Sequence, residues 1–186
     1  GRLEVQSTVG QGSTFWFEVA LPVTDVADPK PPTPVHAIDG YAGAPRSVLV
    51  VDDKRYNRQV LSDLLEPLGF SVHTAEDGQA ALDKAVELRP DVILMDLVMP
   101  VKTGMDAARE IRLRPELNQT ALIAVSASVL EADREKSRMA GFDAFVPKPV
   151  RRETLLETLA THLQLTWIYA EPSAASEAPL KPPPYE

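Results

Sequence analysis

Between Ser47 and Tyr169 the apolar residues of this chain fall into two alternating patterns. Short unbroken runs occur at 48–51 (VLVV), 92–95 (VILM) and 121–125 (ALIAV), with weaker ones at 70–74 (FSVHT) and 143–146 (DAFV). Apolar runs of this length predict strands buried on both faces. Between them, apolar positions recur at helical spacing. Val60, Leu61, Leu64, Leu65 and Leu68 form one stripe, with Gly69 where a C-terminal stop is wanted. Ala81, Leu82, Ala85 and Val86 form a second; Met105, Ala108, Ile111 and Arg112 mark a third; Leu155, Leu156, Leu159 and Leu163 mark the last. The segment from Leu130 to Ala140 is helical by propensity but poor in apolar residues, which predicts a lightly packed helix stopped by Gly141.

Strands alternating with helices predict an α/β fold with a doubly wound, five-stranded parallel sheet, because each parallel crossover is right-handed and needs a helix. In the flavodoxin-like order 2-1-3-4-5, ligands bind beyond the carboxyl ends of the strands where the order reverses. Asp52 and Asp53 follow the first strand, Asp96 ends the third, Ser126 follows the fourth and Lys148 the fifth. Three carboxylates brought into one crevice repel one another, each pair by roughly 4 kcal/mol at ~4 Å for an effective dielectric near 20. Mg²⁺ is the natural counter-charge, since it takes one or two carboxylates and recruits phosphate oxygens. The Lys148 ammonium supplies a second positive charge. Such a site suits phosphoryl transfer, where catalysis is mostly positioning and charge neutralisation, and a carboxylate can itself be the acceptor. Asp96 is the best placed, on the central strand and followed by a loop, LVMP, that leaves room for a donor.

The flanks differ from this middle part. Residues 1–22 alternate Leu3, Val5 and Ser7, then Phe15, Phe17, Val19 and Leu21, about a Gly10-Gln11-Gly12 turn, which predicts a β-hairpin whose exposed aromatics belong to a larger sheet. Residues 23–46 are proline-rich without apolar period and read as a linker, 47–168 as the folded domain, and 169–186 as a proline-rich tail or linker. A formal net charge of -8 without a basic cluster argues against a nucleic-acid or anionic-membrane surface. The absence of cysteine excludes disulfides, thiolate zinc sites and cysteine nucleophiles, and fits a cytoplasmic protein. No apolar run approaches the ~20 residues that span a bilayer.

The motifs VLVVDD, LMDLVMP, AVSAS and FVPKP resemble, in order and spacing, the receiver domain of two-component response regulators, with 30 residues from Asp96 to Ser126 and 52 from Asp96 to Lys148. That resemblance implies that Asp96 accepts a phosphoryl group from a phosphohistidine of a histidine kinase or histidine phosphotransfer protein. It implies direct Mg²⁺ ligation by Asp53 and Asp96, with Asp52 acting mainly through water and the Val98 carbonyl completing the protein ligands. It further implies that Ser126 binds a phosphoryl oxygen, that Lys148 pairs with the phosphate, and that the Lys148-Pro149 bond is cis. Two positions depart from the family pattern. Phe145 stands at the aromatic switch position where many members have Tyr, so a hydroxyl hydrogen bond does not carry over, and Ser126 replaces the commoner Thr. GRLEVQSTVGQGSTFWFEVALP resembles the last two strands of a histidine kinase ATP-binding domain, without that domain's nucleotide boxes. Together with the TWIYAEP phrase, it implies the C-terminal part of a hybrid sensor histidine kinase, a phosphotransferase whose receiver acts as phosphoacceptor with at most slow autodephosphorylation.

Other readings compete. A haloacid dehalogenase-type phosphohydrolase also uses an aspartyl nucleophile and Mg²⁺, but generally needs an acid two residues after it, where Val98 stands. A phosphorylation-independent binding module is opposed by the intact acidic set and Lys148. Singly, Asp52 and Asp53 are helix-capping residues, Asp96 a turn residue, Ser126 a cap of the next helix, Lys148 a solvated lysine and Phe145 core. Asn57 recurs in such receivers, but reads better as a helix-surface asparagine. His36, His73 and His162 have no partner pattern and read as surface or core filler.

Overall fold

The computed structural model describes residues 3–8, 10, 12–20, 38–127 and 131–170. The chain divides into two compact units, Gly1–Val35 and His36–Glu186. In the first, β1 (Leu3–Thr8) and β2 (Gly12–Phe17) pair antiparallel, Leu3 opposite Phe17 and Val5 opposite Phe15. Gly10 and Gly12, at φ 82 and 94, supply the left-handed backbone that reverses the chain. The period of two puts Leu3, Val5, Phe15 and Phe17 on one face, and all four are exposed. Leu21 and the expected linker residues up to 37 lie outside the described residues, as does the tail from 171.

The second unit opens with a short strand, β3 (Ile38–Tyr41). Its main sheet holds β4 (Ser47–Val51), β5 (Ser71–Ala75), β6 (Val92–Asp96), β7 (Ala121–Ser126) and β8 (Ala144–Pro147). All pairs are parallel and the order is β5-β4-β6-β7-β8, the expected 2-1-3-4-5. Four helices connect them, α1 (Arg55–Leu65), α2 (Gly78–Leu88), α3 (Gly104–Arg112) and α4 (Glu131–Met139), and α5 (Arg152–Leu163) follows β8. Leu61, Leu65, Leu155 and Leu159 cover one face of the sheet, against Val48, Val50, Leu94 and Ile123. Ala81, Ala85, Ala107 and Ile111 cover the other, against Leu49, Ile93 and Met95. Every residue of β6 is buried, which is what an unbroken apolar run at the sheet's centre requires. Each such Val, Leu, Ile or Met side chain taken from water contributes about 1.5–3 kcal/mol.

Gly69 and Gly141 stand at φ 94 and 102, the left-handed stops expected of them. Of the α4 side chains described, only Ser137 is buried, in keeping with a lightly packed helix; Leu130 lies outside the described residues. Arg112 does more than mark a helix face. Its guanidinium donates to the carbonyls of Gly141 (2.8 Å) and Thr120 (2.9 Å) and to Asp143 Oδ2 (2.6 Å), tying α3 to the turn that follows α4.

The expected boundaries at 46/47 and 168/169 need correction. Ile38–Tyr41 pairs antiparallel with β9 (Trp167–Tyr169), so residues 38–46 belong to the folded unit and the last strand runs into what read as tail. The physical reason is aromatic. The Tyr41 ring lies 4.6 Å from Phe70 and 6.2 Å from Trp167, and Phe70 and Trp167 are 6.5 Å apart. The Tyr41 hydroxyl donates to the Gly69 carbonyl (3.1 Å) and accepts from the Arg46 N–H (2.8 Å). Two short segments distant in sequence thus close over the base of the sheet.

Asp91 fixes that base. Its carboxylate accepts from Arg46 Nη1 (2.9 Å), from the Ser47 N–H (2.7 Å) and from the Ser47 hydroxyl (3.0 Å), while its carbonyl accepts from the Ala121 N–H (2.9 Å). The starts of β4, β6 and β7 are therefore held by one residue. Burial alone would raise this carboxyl, but the Ser47 and Arg46 hydrogen bonds outweigh it and hold Asp91 below the ordinary carboxylate range. A lowered native value means that the stabilisation is present above the unfolded value of ~3.9 and disappears as pH falls through the native one. Asp91→Asn should therefore cost about 1–3 kcal/mol at neutral pH in denaturant titrations. The gap between the two proteins should shrink below about pH 4, and a gap independent of pH would contradict this role.

Candidate functional site

The carboxyl ends of β4, β6, β7 and β8 deliver Asp52, Asp96, Ser126 and Lys148 to one crevice. A single ammonium joins the set. Lys148 Nζ lies 2.7 Å from Asp52 Oδ2 and 2.6 Å from Asp96 Oδ2, with the three side chains 21%, 4% and 12% exposed. Its backbone is fixed as well: the Lys148 N–H donates to the Ser126 carbonyl at 2.8 Å, beyond the register pair Ser126–Pro147. The Lys148-Pro149 bond is cis, and Ser126 is buried at the end of β7.

Asp52 is the most heavily bonded group here. Oδ1 accepts from the Lys54 N–H (2.9 Å) and Asn57 Nδ2 (3.0 Å), and Oδ2 accepts from Asn57 Nδ2 (3.0 Å) and Lys148. Burial alone would raise its carboxyl; the bonds from Lys148, the Lys54 amide and Asn57 reverse that and hold it below the ordinary range. The same pairing answers for the lysine. Burial works against its charge, but the bonds to Asp52 and Asp96 prevail and raise it above the usual ammonium value. Arg58 Nη1 donates to the carbonyls of Asp52 (2.6 Å) and Asp53 (3.2 Å), pinning the backbone that carries both acids.

Asp96 Oδ1 accepts from the Val98 N–H (3.2 Å), the strand-end turn that its position alone suggests, while Oδ2 is held by Lys148. The turn is tight. Gly104 lies against the strand end so closely that a Cβ there would overlap the Asp96 carbonyl, so only glycine fits. Val101, at φ 66 between Pro100 and Lys102 whose backbones bond at 2.7 Å, holds a left-handed conformation that costs a β-branched residue about 1–3 kcal/mol. Val98 and Val101 are both exposed, and Val98 lines the opening beside the strand end.

Carboxylate oxygens of Asp52, Asp53 and Asp96 lie within 4.8 Å of one another. Three carboxylates and one ammonium leave two formal negative charges on hard oxygen donors, and Asp53 is exposed. That set fits a small divalent cation such as Mg²⁺. Two cavities flank it. One of about 270 Å³ is lined by Asp52, Tyr56, Asn57, Val60 and Pro149, and the other, of about 260 Å³, by Leu97, Val98, Met105, Ser126 and Asp133. Phe145, opposite Ala124 in the sheet, is half-buried with the Arg134 guanidinium 5.3 Å above its ring.

Asp52, Asp53, Asp96 and Lys148 thus come together, with Ser126 and Val98 at the rim and Phe145 on the neighbouring strand. Capping of α1 by Asp52 or Asp53 is not what forms: the cap residue is Lys54, without a side-chain cap bond. Asn57 is no idle surface residue, since it holds both Asp52 oxygens. Arg58 went unsingled in the sequence, although the string DDKRYNR places it one helical turn beyond the acids. His73 and His162 stand away from this set, and His36 lies outside the described residues.

The model of the response regulator receiver domain matches residues 48–160. The polar-differentiation response regulator DivK of Brucella anthropi is 34% identical over 119 residues, 64% of this chain and 97% of that protein. A solved receiver domain of a sensor histidine kinase from Pseudomonas aeruginosa, with a magnesium ion coordinated in its active site cleft, is 35% identical at a TM-score of 0.61, covering 65% of this chain and 99% of that one. The receiver domain of Ssk1 from Saccharomyces cerevisiae, solved with the histidine phosphotransfer protein Ypd1, is 28% identical at a TM-score of 0.58, covering 62% and 87%. This chain belongs to the response regulator receiver domain family, the receivers of two-component signalling.

Proposed function

We propose that Asp96 accepts a phosphoryl group from a phosphohistidine. The Asp96 carboxylate oxygen attacks phosphorus and the P–N bond breaks. The imidazole nitrogen keeps the bonding pair, and an aspartyl phosphate forms. The observation that carries this reading is the Lys148 ammonium, 2.6 Å from the Asp96 oxygen and shared with Asp52, a positive charge beside the place where phosphoryl charge arrives. Lys148 pairs with one phosphoryl oxygen and the Ser126 hydroxyl donates to another. Asp53 and Asp96 would hold Mg²⁺ directly, Asp52 through water, with the Val98 carbonyl completing the protein's share; when bound, the ion would neutralise charge on the transferring oxygens. The acidic set of this chain and the magnesium described in the Pseudomonas relative support that assignment.

The donor is the phosphohistidine of a histidine kinase or of a histidine phosphotransfer protein, which fits the partner described for the yeast relative. Exposed Tyr56 and Val60 beside Asp52 offer it an apolar rim. Phosphorylation moves Ser126 and Phe145 and repacks the surface of α4, β8 and α5, where the described α4 side chains are mostly exposed. The hairpin of β1 and β2, with its open apolar face, is the end of a kinase ATP-binding domain in a hybrid sensor histidine kinase. A donor charged from ATP places the reaction in the cytoplasm. Among the described residues no helix is long and apolar enough to cross a membrane, and no nucleic-acid partner is proposed.

Incubated with acetyl phosphate and Mg²⁺, the native chain should gain the mass of one phosphoryl group and Asp96→Asn none; equal gain in both would refute the acceptor. Calorimetric titration gives an independent check of the metal ligands. Asp53→Asn should weaken Mg²⁺ binding by at least about tenfold, the equivalent of ~1.4 kcal/mol, and undiminished binding would remove Asp53 from the set.

A further inference from the structure

Resting on the acceptor reading above, we propose that Asn57 is a positioning residue for phosphoryl transfer. It keeps the Asp52 carboxylate oriented and hydrogen-bonded while Lys148 leaves it for the phosphoryl group. The Asn57 amide nitrogen lies 3.0 Å from each Asp52 oxygen, so a neutral group straddles the carboxylate. The two oxygens are not equally provided for. Oδ1 also accepts from the Lys54 N–H at 2.9 Å, which the start of α1 holds in place, whereas the side chains donating to Oδ2 are Asn57 and Lys148.

Lys148 is also the donor that must move. Its ammonium bridges Asp52 Oδ2 and Asp96 Oδ2, and a phosphoryl group formed on Asp96 would draw Nζ towards its oxygens and off Asp52. The Asp52 side chain is only 4% exposed, so bulk water does not readily replace the lost donor. With Asn57 present, Oδ2 keeps a hydrogen bond throughout. Without it, that oxygen would be left to the water through which Asp52 reaches Mg²⁺ as the lysine departs, and a buried charge that has lost both side-chain donors carries part of its desolvation penalty. Lys148 would then stay with Asp52, and transfer would slow.

Asn57 is built to stay while Lys148 moves. It sits in the first turn of α1, its own N–H bonded to the Lys54 carbonyl at 3.0 Å, and the next residue, Arg58, grips the carbonyls of Asp52 and Asp53. Consecutive residues of one rigid turn thus hold the side chain and the backbone of the acidic pair. The device needs no titration of any group; it supplies a donor that is not consumed by the reaction.

The test uses the full chain, with Asn57→Leu to remove the donor at similar volume, Asn57→Ser as a smaller variant should the first not fold, and Asn57→Gln to restore an amide. Phosphoryl incorporation is followed against acetyl phosphate concentration at saturating Mg²⁺, with Mg²⁺ affinity measured by calorimetry in the same samples. The maximal rate should fall roughly tenfold to a hundredfold in the Leu and Ser variants. The half-saturating acetyl phosphate concentration and the Mg²⁺ affinity should stay near native, and Gln should recover part of the rate. With beryllofluoride bound, the Lys148 Nζ resonance of the Leu variant should keep the position it has in the ligand-free protein. A native maximal rate in Asn57→Leu overturns the inference. So does a rate loss matched by an equal loss of Mg²⁺ affinity and not recovered by Gln, because that marks a collapsed acidic pair. A native chain that takes no phosphoryl group overturns the acceptor reading itself, an outcome distinct from both.

Discussion

One ammonium between two nearly buried carboxylates organises this end of the molecule. Lys148 follows the edge strand β8, Asp96 ends the central strand β6 and Asp52 follows β4, so the contact draws three strands together at their carboxyl ends. Buried ion pairs gain little stability over an apolar alternative, because both charges lose their water. The proposed transfer supplies a reason for the pair: an acceptor carboxylate has to be kept charged, dry and still. The Lys54 amide, Asn57 and the Val98 amide satisfy the remaining oxygens of the pair.

Rigidity around that contact is distributed unevenly. Below the site, β6 is sealed on both faces and its start is fixed by Asp91. Above it, Gly104 presses against the end of the strand and Val101 carries strained backbone in a loop open to solvent. The side towards β8 is looser, where the described α4 side chains are mostly exposed and Phe145 is only half covered, with Arg134 over its ring. On the proposed reading, a fixed acceptor beside a loosely packed flank is the arrangement a charge-driven switch needs, since a local change in electrostatics can be read out where repacking is cheap.

The sheet was legible because most of its strands are unbroken apolar runs and its helices carry clean stripes; that pattern gives a parallel sheet, and the flavodoxin-like order then puts the acids, the hydroxyl and the lysine at one end. The small sheet of β3 and β9 was not. Ile38–Tyr41 contains Asp39 and Gly40, has no alternation to betray it, and is held by Phe70 and Trp167 from elsewhere in the chain. Asn57, Arg58 and Arg112 were hidden for a related reason. Their roles are hydrogen bonds to a carboxylate and to backbone carbonyls brought near by the fold, and helical periodicity records which residues face the core, not what a polar side chain reaches.

The account turns on the claim that the reactive carboxylate is Asp96 rather than its acidic neighbours. Reduction of the phosphorylated chain with borohydride converts an aspartyl phosphate to homoserine, whose position can be read by peptide mass spectrometry. Homoserine at position 96, with Asp52 and Asp53 unchanged, is the predicted result; homoserine at 52 or 53, or its absence from a chain that has taken up phosphoryl groups, would contradict it.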